Sequence, residues 1–471
     1  MKGILRICCC FIVLFTAPLL QAQVFGGASG NPSQNRSPDE IPRLIYYDAV
    51  SLPSTDSAKS RLDVTFRAPY SFFIFVRNEK FTSLTDTSGY DYRWPFVANA
   101  DISMELLDQN GVSVARELAR KTIGAVDPEP KKHRDDFVEG ILSFAVPPGD
   151  YTIAFQINDL ESNRQFLETS EKVTARDFAR DSLGLSDVLF VEPSEHSANS
   201  AFTPVNLGGD AFFGHNFDAY LEFVYRGSHD SDLRLSYSLY KLEDRSNDTT
   251  FFARDSVHAG AVRSTKAFSI EQNETGYGYR DTAVTSSRVL SALLPVDGNQ
   301  LPRGSYELRV TVSDDKITRS TLHPFEVRWV DMPRSLWDLE FAIETLQYIA
   351  TKDELSDLRA MFAKDRKGLF EDFWKKRDPT PRTAFNEAKA EYYRRVDYAI
   401  DNFGTVTIPN GFKTDRGKVY ILYGDPTHTQ RTFSPTNPPR ETWEYQNLKK
   451  RFVFVDESLN GNYKLVATEA M

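Results

Sequence analysis

The sequence predicts a multidomain chain: two tandem all-β sandwiches, then an α+β domain of helices followed by a small antiparallel sheet. Three observations carry this. At 471 residues the chain exceeds what one hydrophobic core usually organises. A turn-and-strand signature occurs twice, at Val146 and at Leu301. After Met332-Pro333 the apolar spacing changes from every second residue to every third or fourth.

Residues 1–22 read as a secretory signal. Lys2 and Arg6 precede the short apolar run Ile7 to Ala17, and Leu20, Gln21 and Ala22 offer a cleavage site. Cleavage and a retained anchor are the two outcomes open to this segment. The run is shorter than the ~20 residues of a membrane span. All three cysteines (Cys8, Cys9 and Cys10) lie here. The mature chain is therefore expected to have no disulfide, thiol nucleophile or thiolate metal site. Residues 23–39, rich in Gly, Ser, Asn and Pro, read as a flexible leader. Export to the periplasm or the outer surface follows from the signal, with no later transmembrane segment.

The first sandwich is expected over 40–180 and the second over 181–331, with "ARDSLGLSD" as the joint. "VPPGDYTIAFQIND" and "LPRGSYELRVTVSD" both run apolar, Pro, any residue, Gly, any residue, Tyr, then alternate and end on Asp. Tyr151, Ile153, Phe155 and Ile157 share one face, as do Tyr306, Leu308, Val310 and Val312. A Tyr opening such a strand resembles the tyrosine corner of immunoglobulin-like sandwiches, which gives Tyr151 and Tyr306 a structural role. Ile102, Met104 and Leu106 alternate into an Asn110-Gly111 hairpin signal. Leu233, Leu235, Tyr237 and Leu239 alternate in the second copy, and "EKVTARDF" and "HPFEVRWV" follow as further strands.

From 332 the chain reads as helical. Ser335 is expected to cap a helix through Leu336, Leu339, Ile343, Leu346 and Ala350. Thr351 to Glu354 is a capping-box pattern. Gly368 should interrupt the next helix, and a third runs from about Thr383 to Asn402 with Phe385 on its buried face. Gly404 stops it. Strands are expected at "KVYILYG", "TWEYQNL", "RFVFVD" and "YKLVAT".

The densest stretch is "GFKTDRGKVYILYGDP", from Gly411 to Pro426. Thr414, Asp415, Arg416 and Gly417 have the chemistry of a tight turn. Val419 to Tyr423 is apolar on both faces, which suits a covered central strand ended by Gly424 and Pro426. Gly411, Gly417, Gly424 and Pro426 are thus structural candidates. Phe412, Lys413, Thr414, Asp415 and Arg416, with Trp443 and Tyr445 of the aromatic strand, are the candidate binding residues. In this order, with "ETWEYQ" and "RFVFVDESLNGNYKLV" behind, the stretch resembles the bacterial GWxTD domain over about the last 140 residues. The defining tryptophan is Phe412 here, which keeps an apolar ring and lacks the indole N–H. The resemblance implies a fold and a cell-envelope setting, and no reaction.

A net charge of −10 without a basic block argues against nucleic-acid binding. The seven histidines lack metal-ligand spacing, and no nucleophile elbow or phosphate loop occurs, so no cofactor, metal or catalytic residue is assigned. "DLESN" and "SDDKIT" read as hairpin turns ahead of calcium loops. The leading expectation is a non-catalytic scaffold or binding protein of the cell envelope, its partner an envelope protein or glycan. Two other classes stay open. One is a hydrolase of glycan or peptide that draws carboxylates from Asp415, Asp425, Glu441 and Glu444. The other binds carbohydrate through Tyr90, Tyr92, Trp94, Tyr277 and Tyr279.

Overall fold

The computed structural model describes residues 24–26, 45–86, 88–129, 136–193, 202–227, 233–242, 249–257, 262–264, 268–273, 276–281, 289–360, 366–434 and 436–471. The signal segment lies outside them. Within the expected leader, Val24–Gly26 forms a short strand laid parallel to Gln165–Leu167. The unpaired backbone of an edge strand offers that pairing, so part of the leader is extended and bonded rather than flexible.

The N-terminal region is β-rich. Tyr46–Pro53, Ser60–Pro69 and Phe137–Val146 make a three-stranded antiparallel sheet. It faces a larger sheet centred on Phe96–Leu107, Gly149–Asp159 and Gln165–Ala175. Alternation drives both sheets together. Leu62, Val64 and Phe66 of one and Ile102, Met104, Ile153, Phe155 and Ile157 of the other share a core. The Asn110-Gly111 hairpin forms with Gly111 at φ 77°, a left-handed turn position that suits glycine.

A second pair of sheets follows. Phe217–Tyr225 pairs Val289–Val296, and Leu183–Leu185, from the expected joint, pairs Phe217–Tyr225 at its other edge. Arg234–Leu242, Gly304–Ser313 and Thr318–Arg328 run side by side in the other sheet. Leu235, Leu239, Leu308, Val310 and Val312 meet Phe223, Leu290 and Leu294 in its core. Both echo tyrosines take the same bond: the hydroxyls of Tyr151 and Tyr306 donate to the carbonyls of Pro147 and Pro302, each at 2.8 Å.

The two β bodies are joined by a small shared core of Val50, Leu52, Leu189, Val191, Phe202 and Tyr220. Beside it Arg61 Nη2 reaches Glu222 Oε1 across the joint at 2.9 Å.

The C-terminal region has five α-helices among the described residues: α1 Leu339–Thr345, α2 Lys352–Arg359, α3 Arg366–Lys375, α4 Glu387–Phe403 and α5 Asp415–Tyr423. A four-stranded antiparallel sheet follows, His428–Thr432, Arg440–Tyr445, Lys450–Val455 and Lys464–Ala470 in order. No helix of the described residues is long and apolar enough to cross a membrane.

Several local expectations are corrected. Residues 418–423 are helix, not strand. Asp338 rather than Ser335 caps α1, accepting from the amides of Glu340 and Phe341. Ser335 is drawn off by tertiary bonds, its amide to Asp397 Oδ1 and its hydroxyl to the Tyr393 carbonyl. Gly368 lies inside α3, because the flanking Phe370, Phe373 and Trp374 bury the helix whatever one glycine costs. Asn386 caps α4. Phe385 precedes that helix and its ring packs instead on Phe213 and Trp329 of the second β body, at 5.3 and 5.5 Å. The capping box at Thr351 and Glu354 forms as the sequence predicts.

Candidate functional site

Gly411–Lys413 is a single 3-10 turn leading into α5. Thr414 stays extended and its Oγ1 accepts from the Gly417 amide at 3.0 Å, an N-cap. Asp415 occupies the first turn, where a negative charge meets the positive end of the helix dipole. These residues therefore start a helix where a tight turn into a strand was expected. The run Val419 to Tyr423 is apolar all round because α5 is enclosed. Tyr420 stacks on Tyr398 of α4 at 4.2 Å, while Tyr423 meets Phe452 of the sheet at 5.2 Å. Gly424, at φ 77°, ends the helix. Pro426 follows and helps prevent its continuation.

Two glycines let three backbones meet. A Cβ on Gly411 would sit 2.0 Å from the Ala399 carbonyl oxygen of α4, and one on Gly417 would sit 2.1 Å from the Gly411 oxygen. Phe412 is fully buried, its ring edge-on to Phe341 at 5.5 Å. Its carbonyl accepts from the Tyr348 hydroxyl at 2.8 Å.

The polar candidates are engaged within the domain. Lys413 pairs with Glu344 at 2.8 Å on the surface. Asp415 Oδ2 does not bond its own turn; it accepts from the Leu465 amide at 2.9 Å and so pins the last strand to α5. Arg416 Nη1 meets Glu441 Oε2 at 3.1 Å, and its Nη2 donates to the Gly461 carbonyl at 3.2 Å. The guanidinium also lies over the Tyr463 ring at 4.4 Å. Glu441 is 2% exposed and takes the Trp443 indole N–H at 2.8 Å on its other oxygen. Trp443 packs on Phe403 and Phe454. Tyr445 is buried with its hydroxyl donating to the Gly424 carbonyl at 2.8 Å, and burial holds that phenol above its usual range.

The remaining carboxylates are likewise paired. Glu444 takes two bonds from Arg451, at 2.9 and 2.7 Å. Asp425 accepts from the Tyr420 hydroxyl at 3.0 Å. The cluster's chemistry is that of a clamp joining α4, α5, the sheet and the loop at Gly461.

Elsewhere, Asp159 and Asp314 are taken up by their own hairpin turns, accepting from the amides of Glu161 and Lys316. No group of three or more metal-ligating side chains gathers among the described residues. Tyr90 accepts from the Gly124 amide and Trp94 lies against Gly124, while Tyr92 is exposed. The side chains of Tyr277 and Tyr279 lie outside the described residues.

One feature had no motif to announce it. Asp48, Arg176, Asp187 and His323 line a cleft of about 520 Å³ between the two β bodies. Asp48, the Arg176–Asp187 pair and His323 stand far apart in the sequence, and the packing of the bodies gathers them.

Residues 315–471 match the GWxTD domain, which bears out the resemblance read from Gly411 to Asp415. The match opens ahead of the strand Thr318–Arg328 and covers all five helices and the final sheet. No curated protein matches the chain. Among solved structures the chain is similar to one titled "BspA_C_WT", at 12% identity over 57% of this chain and 94% of that one, with a TM-score of 0.15. It is also similar to the Serine-rich Repeat Protein (Srr2) from Streptococcus agalactiae, at 10% identity over 59% and 91%, with a TM-score of 0.16. Likeness at those TM-scores bears on neither fold nor function.

Proposed function

We propose that this chain, which ends in a GWxTD domain, is an exported, non-catalytic binding or scaffold protein of the cell envelope. The observation that carries the reading is the engagement of the motif. Thr414 caps α5, Asp415 holds the Leu465 amide, Arg416 holds Glu441, and Glu444 holds Arg451. A general acid or base must reach a substrate proton. Carboxylates committed to neighbouring amides and guanidinium groups are better suited to holding a surface rigid than to proton transfer. The secretory pattern of residues 1–22 supports export, to the periplasm or the outer surface.

We read the two β bodies as immunoglobulin-like sandwiches. The support is a pair of sheets around each core and the matched bonds of Tyr151 and Tyr306 to an upstream proline carbonyl. Such bodies serve as spacers and as binding modules, a step taken by analogy of fold.

Cross-linking in intact envelopes tests the proposal. The full chain is compared with a chain lacking 332–471, and a discrete partner lost with the deletion is the expected result. Hydrolysis of an envelope glycan or peptide by the purified chain, abolished by Asp415→Asn or Glu444→Gln, would overturn it.

A further inference from the structure

The cleft between the β bodies is backed by the buried Val50 and Val188, and its accessible apolar surface is Leu322 and Pro324, exposed at its mouth. Asp187, inside it, is neutralised by Arg176 and also accepts from the Ser51 amide at 2.8 Å. Asp48 is different. Its carboxylate is half-buried and has no ion pair among the described residues. Beside it His323 is held rigidly. Its Nε2 lies 2.7 Å from the Gly209 carbonyl, which can only accept, so Nε2 carries a proton. The ring is also braced edge-on against Phe190 at 4.6 Å. Gly209, at φ 82°, passes between the two, with its Cβ position 3.4 Å from Asp48 Oδ2 and 3.5 Å from His323 Cε1. A carboxylate without an ion pair, reached past the aliphatic Leu322 and Pro324, forms a receptor for a cationic head on an apolar stem. The exposed cation Lys172 stands at the rim.

We infer that this cleft binds an aliphatic primary ammonium whose stem ends in a carboxylate. The ammonium sits at Asp48, the stem lies against Leu322 and Pro324, and the carboxylate faces Lys172. A free ω-amino acid and a lysine at a protein C-terminus share this chemistry. The inference rests on the binding reading above but not on its C-terminal part. The cross-linking comparison tests 332–471, so either can fail alone.

Titration calorimetry on the full mature chain, with ε-aminocaproate, hexylamine and hexanoate as probes, decides it. Saturable binding is expected in the order ε-aminocaproate, then hexylamine, with none for hexanoate. Asp48→Asn should weaken ε-aminocaproate about ten-fold or more, the worth of a charge-assisted bond. Lys172→Ala should bring it down to the level of hexylamine. Asp48→Asn removes a costly buried charge, so its melting temperature without probe should equal or exceed the parent's, which separates lost binding from lost folding. A peptide ending in lysine tells the sources apart: affinity equal to ε-aminocaproate assigns a chain terminus, and failure beside bound ε-aminocaproate assigns a free ω-amino acid. Absence of saturable ε-aminocaproate binding, binding unchanged by Asp48→Asn, or equal binding of hexanoate would overturn the assignment.

Discussion

Arg416 of α5 and Glu441 of the C-terminal sheet meet at 3.1 Å with side chains only 11% and 2% exposed. Two opposite charges are thus taken out of water together, and each is costly without the other. Arg416→Ala leaves Glu441 with the indole of Trp443 and the more distant, exposed Arg431 at 3.5 Å. The expected cost is about 3 kcal/mol, toward the lower end for breaking a buried pair, because those two partners remain. Glu441→Gln keeps an acceptor for Trp443 and should cost less. A double-mutant cycle followed by urea denaturation should return a coupling of about 1 kcal/mol or more. Additive single effects would mean that the pair does not hold the helix to the sheet.

The glycines of the clamp invert the usual effect of adding a methyl group. Gly411→Ala and Gly417→Ala would each place Cβ about 2 Å from a backbone oxygen, which cannot rotate away. Each should cost more than about 3 kcal/mol, in the range where core strain unfolds marginal domains. Gly368→Ala sits on the exposed side of α3 and should instead stabilise by about 0.5–1 kcal/mol, since alanine loses less backbone freedom in a helix. Thermal unfolding of the three variants gives the comparison. A fall in stability for Gly368→Ala, or tolerance at Gly411, would contradict the geometry.

The contrast between well-read and misread segments has a physical basis. The strands bearing Tyr151 and Tyr306 were legible because a Pro/Gly turn and an every-second-residue pattern are local signals. The α2 capping box was legible for the same reason. Helix α5 was misread because Val419, Tyr420 and Ile421 favour strands intrinsically, and its apolar faces match a buried helix as well as a buried strand. Enclosure by α4 and the sheet decided the matter, and no local pattern records it. The cleft was illegible for a related reason: Asp48 and His323 belong to different β bodies, and neither lies in a motif.

The paired tyrosine bonds should differ in worth because their burial differs. Tyr306 is fully buried, so Tyr306→Phe removes a shielded bond and leaves the Pro302 carbonyl without it. A loss of about 1–2 kcal/mol is expected. The Tyr151 hydroxyl is exposed, and water can replace it at Pro147, so Tyr151→Phe should cost about 0.5 kcal/mol or less. Guanidinium denaturation of the two variants checks the ranking. Equal costs would show that the two corners are not distinguished by solvent.

Asp48 should make stability depend on pH in a direction opposite to that of an ordinary paired carboxylate. Burial pushes its carboxyl from 3.8 up to about 6; the negative Asp187 and Asp210 add to the rise, and His323 and the Ala49 amide oppose it. The folded state therefore holds this proton more tightly than the unfolded chain does. Its contribution is most favourable below the unfolded value and is lost as pH rises through about 6. That shift corresponds to at most about 3 kcal/mol, and solvent at this half-buried group reduces it to about 1–2 kcal/mol. Asp48→Asn abolishes the titration. Denaturation of parent and variant at about pH 4 and about pH 8 should show the variant gaining that amount relative to the parent at the higher pH. Lys172→Ala, at the exposed rim, should leave the parent's pH dependence nearly intact. A parent–variant difference that stays constant across that range would mean that the Asp48 carboxyl titrates as it does in the unfolded chain.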